Sequence, residues 1–189
     1  MNTIQYYSTT KNLGITFGTT DSKNSDKPIL DYYSYCDSNY TGDIDTRYST
    51  TGYIYFIAGS SISWKTVCQH TVTLSSTEAE YYTLTEAAKE AIWYQTFLDK
   101  LKYTGPDIYL TVIYRDNTGL LDLAENPAYY SCAKYIQIRI YYIREQVSNR
   151  SIELSYVPST DIAANSFTKL LPGLKHQKFL DQLGLQSWK

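Results

Sequence analysis

The segment after Ser75 limits the possible folds of this chain more than any other part of the sequence. Its apolar residues recur at helical spacing and form one stripe: Leu84, Ala87, Ala88, Ala91, Leu98 and Leu101. A helix with a single apolar face has to bury that face against another layer of structure. Runs rich in Tyr, Ile and Val stand on both sides of the helix, so the second layer is predicted to be a sheet.

Four segments carry the strand signal. They are ILDYYSYCD (29–37), GYIYFIAGSSISWK (52–65, two strands joined around Gly59 and Ser60), DIYLTVIY (107–114) and SIELSYVP (151–158). Further helices are predicted near 120–124 and over 134–147, 160–170 and 174–183. Three strands followed by helix, strand, helix, strand and helix predict an α/β fold, a mixed sheet with both faces covered.

Length and charge exclude several classes of protein. The 189 residues fit one domain with a short appendage, and residues 1–28 are predicted to be a polar tail and linker before a domain at 29–189. Lys and Arg number 17 against 19 Asp and Glu, which disfavours a nucleic-acid binder that depends on bulk positive charge. No apolar run approaches the ~18 residues of a membrane span, so no membrane partner is expected. Three cysteines without metal-binding spacing indicate reduced thiols and a cytosolic or nuclear protein.

Two aspartates follow predicted strands, where a side chain can point into a cleft at the end of a sheet. Asp37 ends the first strand, although spacing alone favours a structural role for it in the turn at 42–43. Asp116 ends a later strand, predicted to be the central one, and precedes a short helix. It could equally be the N-cap of that helix, a role for which Asn117 competes.

The start of the long helix gives its two glutamates different roles. Ser75 and Glu78 fit the S-x-x-E capping box. Glu80 stands four residues before Leu84 and therefore faces the core, where a carboxylate needs a cation or another partner. With Asp37 and Asp116, Glu80 suggests a site for a divalent metal, because hard cations such as Mg²⁺ prefer oxygen ligands.

Longer motifs identify a family. CDSNYTGDIDTRYSTTGYIYFI (36–57), ISWKTVCQHTVTLSSTEAEY (62–81), YRDNTGLLDLAENP (114–127) and IELSYVPSTDIAANSFTK (152–169) resemble the ribonuclease H domain of copia-type retrotransposon polyproteins. The resemblance covers roughly 29–183, and YYSTTKNLGITF (6–17) is similar to the end of the reverse transcriptase region that precedes this domain. The family implies a ribonuclease H-like fold with a five-stranded mixed sheet flanked by helices.

The resemblance also implies a chemistry. The family hydrolyses the RNA strand of an RNA–DNA hybrid with two Mg²⁺ or Mn²⁺ ions roughly 3.5–4 Å apart. Residue by residue, its four site positions fall on Asp37 (S-D-x-D), Glu80 (T-E-A-E-Y), Asp116 (C-D-N) and Asn165 (A-D-x-F-T-K). The implied partners are the hybrid and the reverse transcriptase domain of the parent polyprotein. The implied location is the cytoplasm or nucleus, in the particles of the element.

Asn165 departs from the family, which has a fourth acid there. Asp37, Glu80 and Asp116 alone supply too little negative charge for two dications, and an amide oxygen attracts an ion far less than a carboxylate does. Asp161 is predicted to share a helix face with Asn165 but to lie one turn away, about 6 Å along the axis. We therefore expect weakened catalysis, with a catalytically dead remnant as the alternative.

Other departures share a genetic pattern, because each corresponds to a single C-to-T or G-to-A codon change. They are Asn39, Thr41, Tyr130, Cys132, Tyr135 and Tyr141. Changes from His to Tyr would account for part of the excess of Tyr, of which the chain has 21, over His, of which it has 2. The pattern suggests a decayed, hypermutated copy of the element, a hypothesis that the absence of transition bias among sibling copies would refute.

Overall fold

The computed structural model describes residues 8, 10–17, 32–102, 110–117 and 134–187, without the side chains of residues 134 and 135. In chain order its elements are β1 (Leu13–Ile15), β2 (Tyr33–Asn39), β3 (Thr50–Ile57), β4 (Ser60–Cys68), α1 (Ser76–Lys100), β5 (Thr111–Arg115), α2 (Lys134–Ser148), β6 (Ile152–Tyr156), a 3₁₀ turn (Ser159–Asp161), α3 (Asn165–Thr168), α4 (Gly173–Gln182) and β7 (Leu185–Ser187). The helix predicted near 120–124 and most of the proposed linker lie outside the described residues.

In the part of the chain that the structure describes, five strands form one mixed sheet in the order β4-β3-β2-β5-β6. Strand β2 pairs antiparallel with β3 and parallel with β5, and β5 pairs parallel with β6. This sheet confirms the predicted fold class. Asp116, however, follows β5, and the prediction that its strand is central was wrong. The central strand is β2, because β6 adds outside β5 while β3 and β4 lie on the opposite side.

Successive side chains of β3 point to opposite faces of the sheet and contribute to the hydrophobic core on each face. Tyr53 and Tyr55 are buried on the face covered by α1, where Ala87, Ala88 and Ala91 let the helix lie close to the strands. Ile54 and Phe56 point to the other face and pack against residues 162–164. The helix predicted over 134–147 is present as α2, and it lies beside α1. The sheet therefore sits between two layers, and the ends of its strands stay open for a site.

The capping box predicted for the long helix is present in a slightly wider form. Ser75 is the N-cap residue, and its Oγ accepts a hydrogen bond from Glu78 N at 3.1 Å. The carboxylate of Glu78 accepts in turn from Leu74 N at 2.7 Å, one residue beyond the cap. This arrangement fixes where the helix begins, and so fixes where Glu80 stands relative to the strands.

A second, two-stranded sheet joins distant parts of the sequence. Strand β1, within the segment predicted to be a tail, pairs antiparallel with β7 near the end of the described chain. Thr16 N also donates to Gly184 O at 3.0 Å, and Ser60 Oγ donates to Thr16 O. The hydroxyl of Ser60 thereby ties this small sheet to β4. The domain boundary proposed at residue 28 lies outside the described residues and stays a prediction.

The predicted helix over 160–170 is divided. A 3₁₀ turn ends at Asp161, Ile162 has extended backbone (φ −74°, ψ 109°), and α3 begins only at Asn165. Burial explains the break, since Ile162, Ala163 and Ala164 pack under the sheet against Ile54 and Phe56. Asp161 and Asn165 consequently do not share one helical face as predicted. Among the described helices none is long and apolar enough to cross a membrane.

Candidate functional site

Three acids from three different elements line one small cavity. Asp37 comes from β2, Glu80 from the first turns of α1, and Asp116 from the residue that follows β5. The parallel pairing of β2 with β5 brings the carboxyl ends of these strands to the same edge of the sheet. The cavity measures about 10 Å³, roughly the space that one water molecule occupies.

Asp37 is held on the side of the cavity nearest α3. Its carboxylate accepts a hydrogen bond from Thr168 Oγ1, and the ammonium group of Lys169 lies 3.3 Å from Asp37 Oδ2. Burial raises the pKa of Asp37, and the charge of Asp116 raises it further, while Thr168 and Lys169 lower it. The effect of Asp116 on Asp37 is the one expected when two carboxylates line the same small cavity.

Glu80 faces the interior, as the helical spacing predicts, and its carboxylate forms an ion pair with Arg115. Arg115 Nη2 donates to Glu80 Oε2 at 3.2 Å, and Asn117 Nδ2 donates to the same oxygen at 2.6 Å. Burial raises the pKa of Glu80, and the charges of Asp116 and Asp37 add to the increase, whereas Arg115 and Asn117 lower it. Its carboxylate is therefore directed toward β5 as much as toward the cavity.

Cys36 also lines the cavity but is a poor metal ligand. Burial raises the pKa of its thiol to about 12. A thiol binds metal ions as the thiolate, and a group with this pKa is neutral at pH 7. The ligand chemistry of the cavity is therefore that of oxygen.

Asn165, the fourth site position implied by the family, lines a neighbouring cavity of about 200 Å³. Its Nδ2 donates to Ser159 O at 2.6 Å, and its Oδ1 accepts from Lys169 Nζ at 2.9 Å. Lys169 therefore bridges Asn165 and Asp37. Asp161 lies farther round and forms an ion pair with Lys178 at 2.6 Å.

The close approach of α3 to the sheet depends on Gly52, which is opposite Asp37 in the β2–β3 register. A Cβ on Gly52 would lie 2.6 Å from Thr168 Cγ2 and 3.0 Å from Phe167 Cβ. Asn39 Nδ2 adds a second connection by donating to Thr168 O at 3.2 Å. A glycine in this strand thus allows Thr168 to reach Asp37.

The oxygen atoms of these residues are suitable ligands for a divalent cation, but the residues carry little uncompensated negative charge. Oxygen donors are what Mg²⁺ and Mn²⁺ prefer. Among the described residues, however, no group of three or more His, Cys, Asp or Glu side chains is placed to hold a metal ion. Arg115 and Lys169 already neutralise two of the three carboxylates. The negative charge that remains is too small for two divalent ions.

Several of these partners were not predicted from the sequence. Strand alternation gave a signal for one of them, because Arg115 lies on the same face of β5 as Thr111 and Ile113, which point into the core. A charged residue on that face has to meet an opposite charge. The contact of Thr168 with Asp37 had no signal, since it joins residues 131 positions apart.

Comparisons with known proteins give a consistent result. No family model matches the chain. It is 36% identical over 160 residues to the retrovirus-related Pol polyprotein from transposon TNT 1-94 of Nicotiana tabacum. This alignment covers 85% of the chain and 12% of that protein. It is also 35% identical over 158 residues to the retrovirus-related Pol polyprotein from transposon RE1 of Arabidopsis thaliana. This second alignment covers 82% of the chain and 10% of that protein. The chain thus spans about a tenth of the length of these relatives.

Solved structures match the fold. LC11-RNase H1, isolated from compost by a metagenomic approach, superposes with a TM-score of 0.54 at 15% identity, covering 74% of this chain and 93% of that one. The same enzyme in complex with an RNA/DNA hybrid gives a TM-score of 0.53 at 14% identity, covering 72% and 92%. At these identities the likeness concerns the fold alone.

Proposed function

Because this chain belongs to the copia-type retrovirus-related Pol polyproteins and has the ribonuclease H fold, we propose that it hydrolyses the RNA strand of RNA–DNA hybrids, and does so weakly. The observation that carries the proposal is the convergence of Asp37, Glu80 and Asp116 on one cavity at the end of the sheet. The structural neighbour seen with an RNA/DNA hybrid supports the choice of substrate. The reverse transcriptase region of the parent polyprotein is the proposed neighbour in the longer chain.

Asp37 and Asp116 would hold a divalent ion, which supplies activation of the attacking water and stabilisation of charge on the phosphate. Thr168 keeps the Asp37 carboxylate oriented by donating a hydrogen bond to it. Lys169 stands at the edge of the cavity with its side chain 44% exposed, so it can leave Asp37 and contact a phosphate oxygen of the substrate.

The nucleic-acid backbone would follow the lysines beside the acidic cavity. Lys169, Lys175 and Lys178 line the neighbouring cavity of about 200 Å³. A protein with a net charge of −2 cannot bind a hybrid by its overall charge, so a local cluster has to supply the attraction. We expect a shallow dependence of binding on salt, corresponding to about three phosphate contacts and a slope of log K against log salt of roughly −2 to −3.

Two features weaken the proposed reaction. An amide at Asn165 replaces the fourth acid, and the cations of Arg115 and Lys169 compete with metal for the remaining carboxylates. These same contacts favour the second candidate function, a catalytically dead remnant that keeps the fold and binds nucleic acid weakly.

A cleavage and binding experiment separates the two candidates. A fluorescent RNA strand annealed to DNA is incubated with the chain in Mg²⁺, Mn²⁺ or EDTA, and products are resolved by length. The proposal expects slow cleavage in Mn²⁺ or Mg²⁺, none in EDTA and none by the Asp37→Asn variant. Binding of the hybrid without cleavage in either metal would favour the remnant. Equal cleavage by the chain and by Asp37→Asn would assign the activity to a contaminating nuclease.

A further inference from the structure

Arg115 occupies an unusual position for an arginine. It is the last residue of β5, its side chain is only 4% exposed, and it lines the acidic cavity immediately before Asp116. Its backbone is held by β6, because Arg115 pairs with Tyr156 in the β5–β6 register and its carbonyl accepts from Val157 N at 2.8 Å. Because the side chain is also buried, the guanidinium cannot turn out into solvent as an exposed lysine can.

The guanidinium has more donors than partners. Nη2 donates to Glu80, whereas Nε and Nη1 are buried with no hydrogen-bond partner among the described residues. An arginine stays charged at any pH that the protein experiences, so this is a permanent positive charge inside an acidic cavity. A buried charge of this kind is retained only where opposite charge compensates it.

We propose that the guanidinium of Arg115 takes the place of one of the two divalent ions in the acidic cavity. Arg115 pairs with Glu80, so that Glu80 is not available as a metal ligand. The cavity then binds a single divalent ion, at Asp37 and Asp116. This inference rests on the proposed metal-dependent function and adds how many ions the site takes and why.

Charge supports a single ion. With Arg115 and Lys169 in place, the three carboxylates leave a net charge of −1, which one dication more than neutralises. Two dications about 3.5–4 Å apart would meet strong mutual repulsion that this remaining charge cannot offset. Lys169 is half exposed and can swing into solvent when metal arrives, but Arg115 is buried and stays.

The test counts bound Mn²⁺ on the whole chain and does not depend on cleavage. Free Mn²⁺ is followed by electron paramagnetic resonance during titration of the parent chain, Arg115→Met, Arg115→Lys and Lys89→Met. Methionine has a similar reach without charge, lysine keeps the charge, and Lys89→Met removes the cation of a different ion pair, with Glu86, outside the cavity. Melting temperatures in EDTA and in Mn²⁺ are recorded for each protein.

The expected result is one Mn²⁺ per chain for the parent, Arg115→Lys and Lys89→Met, and two for Arg115→Met. Arg115→Met should also melt lower than the parent in EDTA and gain more from Mn²⁺, because it leaves Glu80 without a cation until metal binds. Two ions, or none, on the parent chain would overturn the inference even if Arg115→Met fails to fold. Equal counts for Arg115→Met and Arg115→Lys would overturn it as well. One bound ion without any hybrid cleavage would refute the proposed function and leave the inference standing.

Discussion

Replacing Gly52 with alanine tests how closely α3 has to approach the sheet. The new Cβ would lie 2.6 Å from Thr168 Cγ2, roughly 1 Å inside the distance of about 3.5–4.0 Å at which carbon atoms attract best. Phe167 Cβ at 3.0 Å and Ala164 O at 3.2 Å leave little space for the methyl group to move. Because Thr168 donates to Asp37, any displacement of α3 also disturbs the acidic cavity.

The magnitude follows from two opposing effects. Overpacking a well-filled site costs about 1–3 kcal/mol. Removing the conformational freedom of glycine from the unfolded chain returns about 0.4–1 kcal/mol. The free energy of unfolding should therefore fall by about 1–2 kcal/mol, and for a chain of this size the melting temperature should fall by roughly 2–8 °C.

A double-mutant cycle with Thr168→Ser makes the reasoning refutable. Serine removes the clashing methyl group and keeps the hydroxyl that binds Asp37, so part of the cost of Gly52→Ala should disappear in the double variant. The interaction free energy should reach about 0.5 kcal/mol or more in urea denaturation. Gly173→Ala is the matched control, since nothing lies within 4 Å of its Cβ position. If Gly52→Ala is as mild as Gly173→Ala, or if Thr168→Ser leaves its cost unchanged, the close-approach argument is wrong.

Further expectations concern the acids and the long helix. Because burial raises the pKa of Asp37, this group contributes stability at low pH that is lost as pH rises above about 4 through its raised pKa. Asp37→Asn should therefore flatten the fall of the melting temperature between pH 4 and 7 in EDTA, and an unchanged slope would contradict the assigned cause. Asn165→Asp should accelerate hybrid cleavage ~10-fold or more if the fourth acid is worth at least 1.4 kcal/mol in the transition state, and it should lower stability slightly by losing the donation to Ser159. Equal rates for the two chains would show that position 165 holds no ligand. Ser75→Ala should cost about 1 kcal/mol of unfolding free energy, measured by urea denaturation, and no loss would mean that the cap contributes nothing.

Sequence patterns predicted the fold well because periodicity and caps act locally. The long helix, the strand within 52–65 and the capping box at Ser75 each depend on neighbouring residues, and each is present. Leu84, Ala87, Ala88 and Ala91 of the predicted apolar stripe are buried, but the inclusion of Leu101 was wrong, because the helix ends at Lys100 and Leu101 is 61% exposed. The inward direction of Glu80 followed from its spacing to Leu84 in the same way.

What the sequence could not supply were the contacts between distant segments. The ion pair of Arg115 with Glu80 depends on where β5 enters the sheet, and the bridge made by Lys169 depends on the break at Ile162. The break itself was mispredicted because burial under the sheet overrode a helical pattern in 160–170. The strands β1 and β7 were missed since three-residue strands carry almost no periodic signal.

The pairing of these two short strands has a mechanical consequence. Leu13, at the start of β1, is opposite Ser187, at the end of β7, so the chain enters and leaves this ladder at the same end. A pulling force applied through the flanking polypeptide would load the hydrogen bonds one pair at a time and unzip the ladder. The five-stranded sheet would bear load only after the pair of Ile15 with Leu185 and the hydrogen bond from Thr16 N to Gly184 O beyond it had opened. Tension along the polypeptide would thus be relieved at this ladder before it reached the acidic cavity.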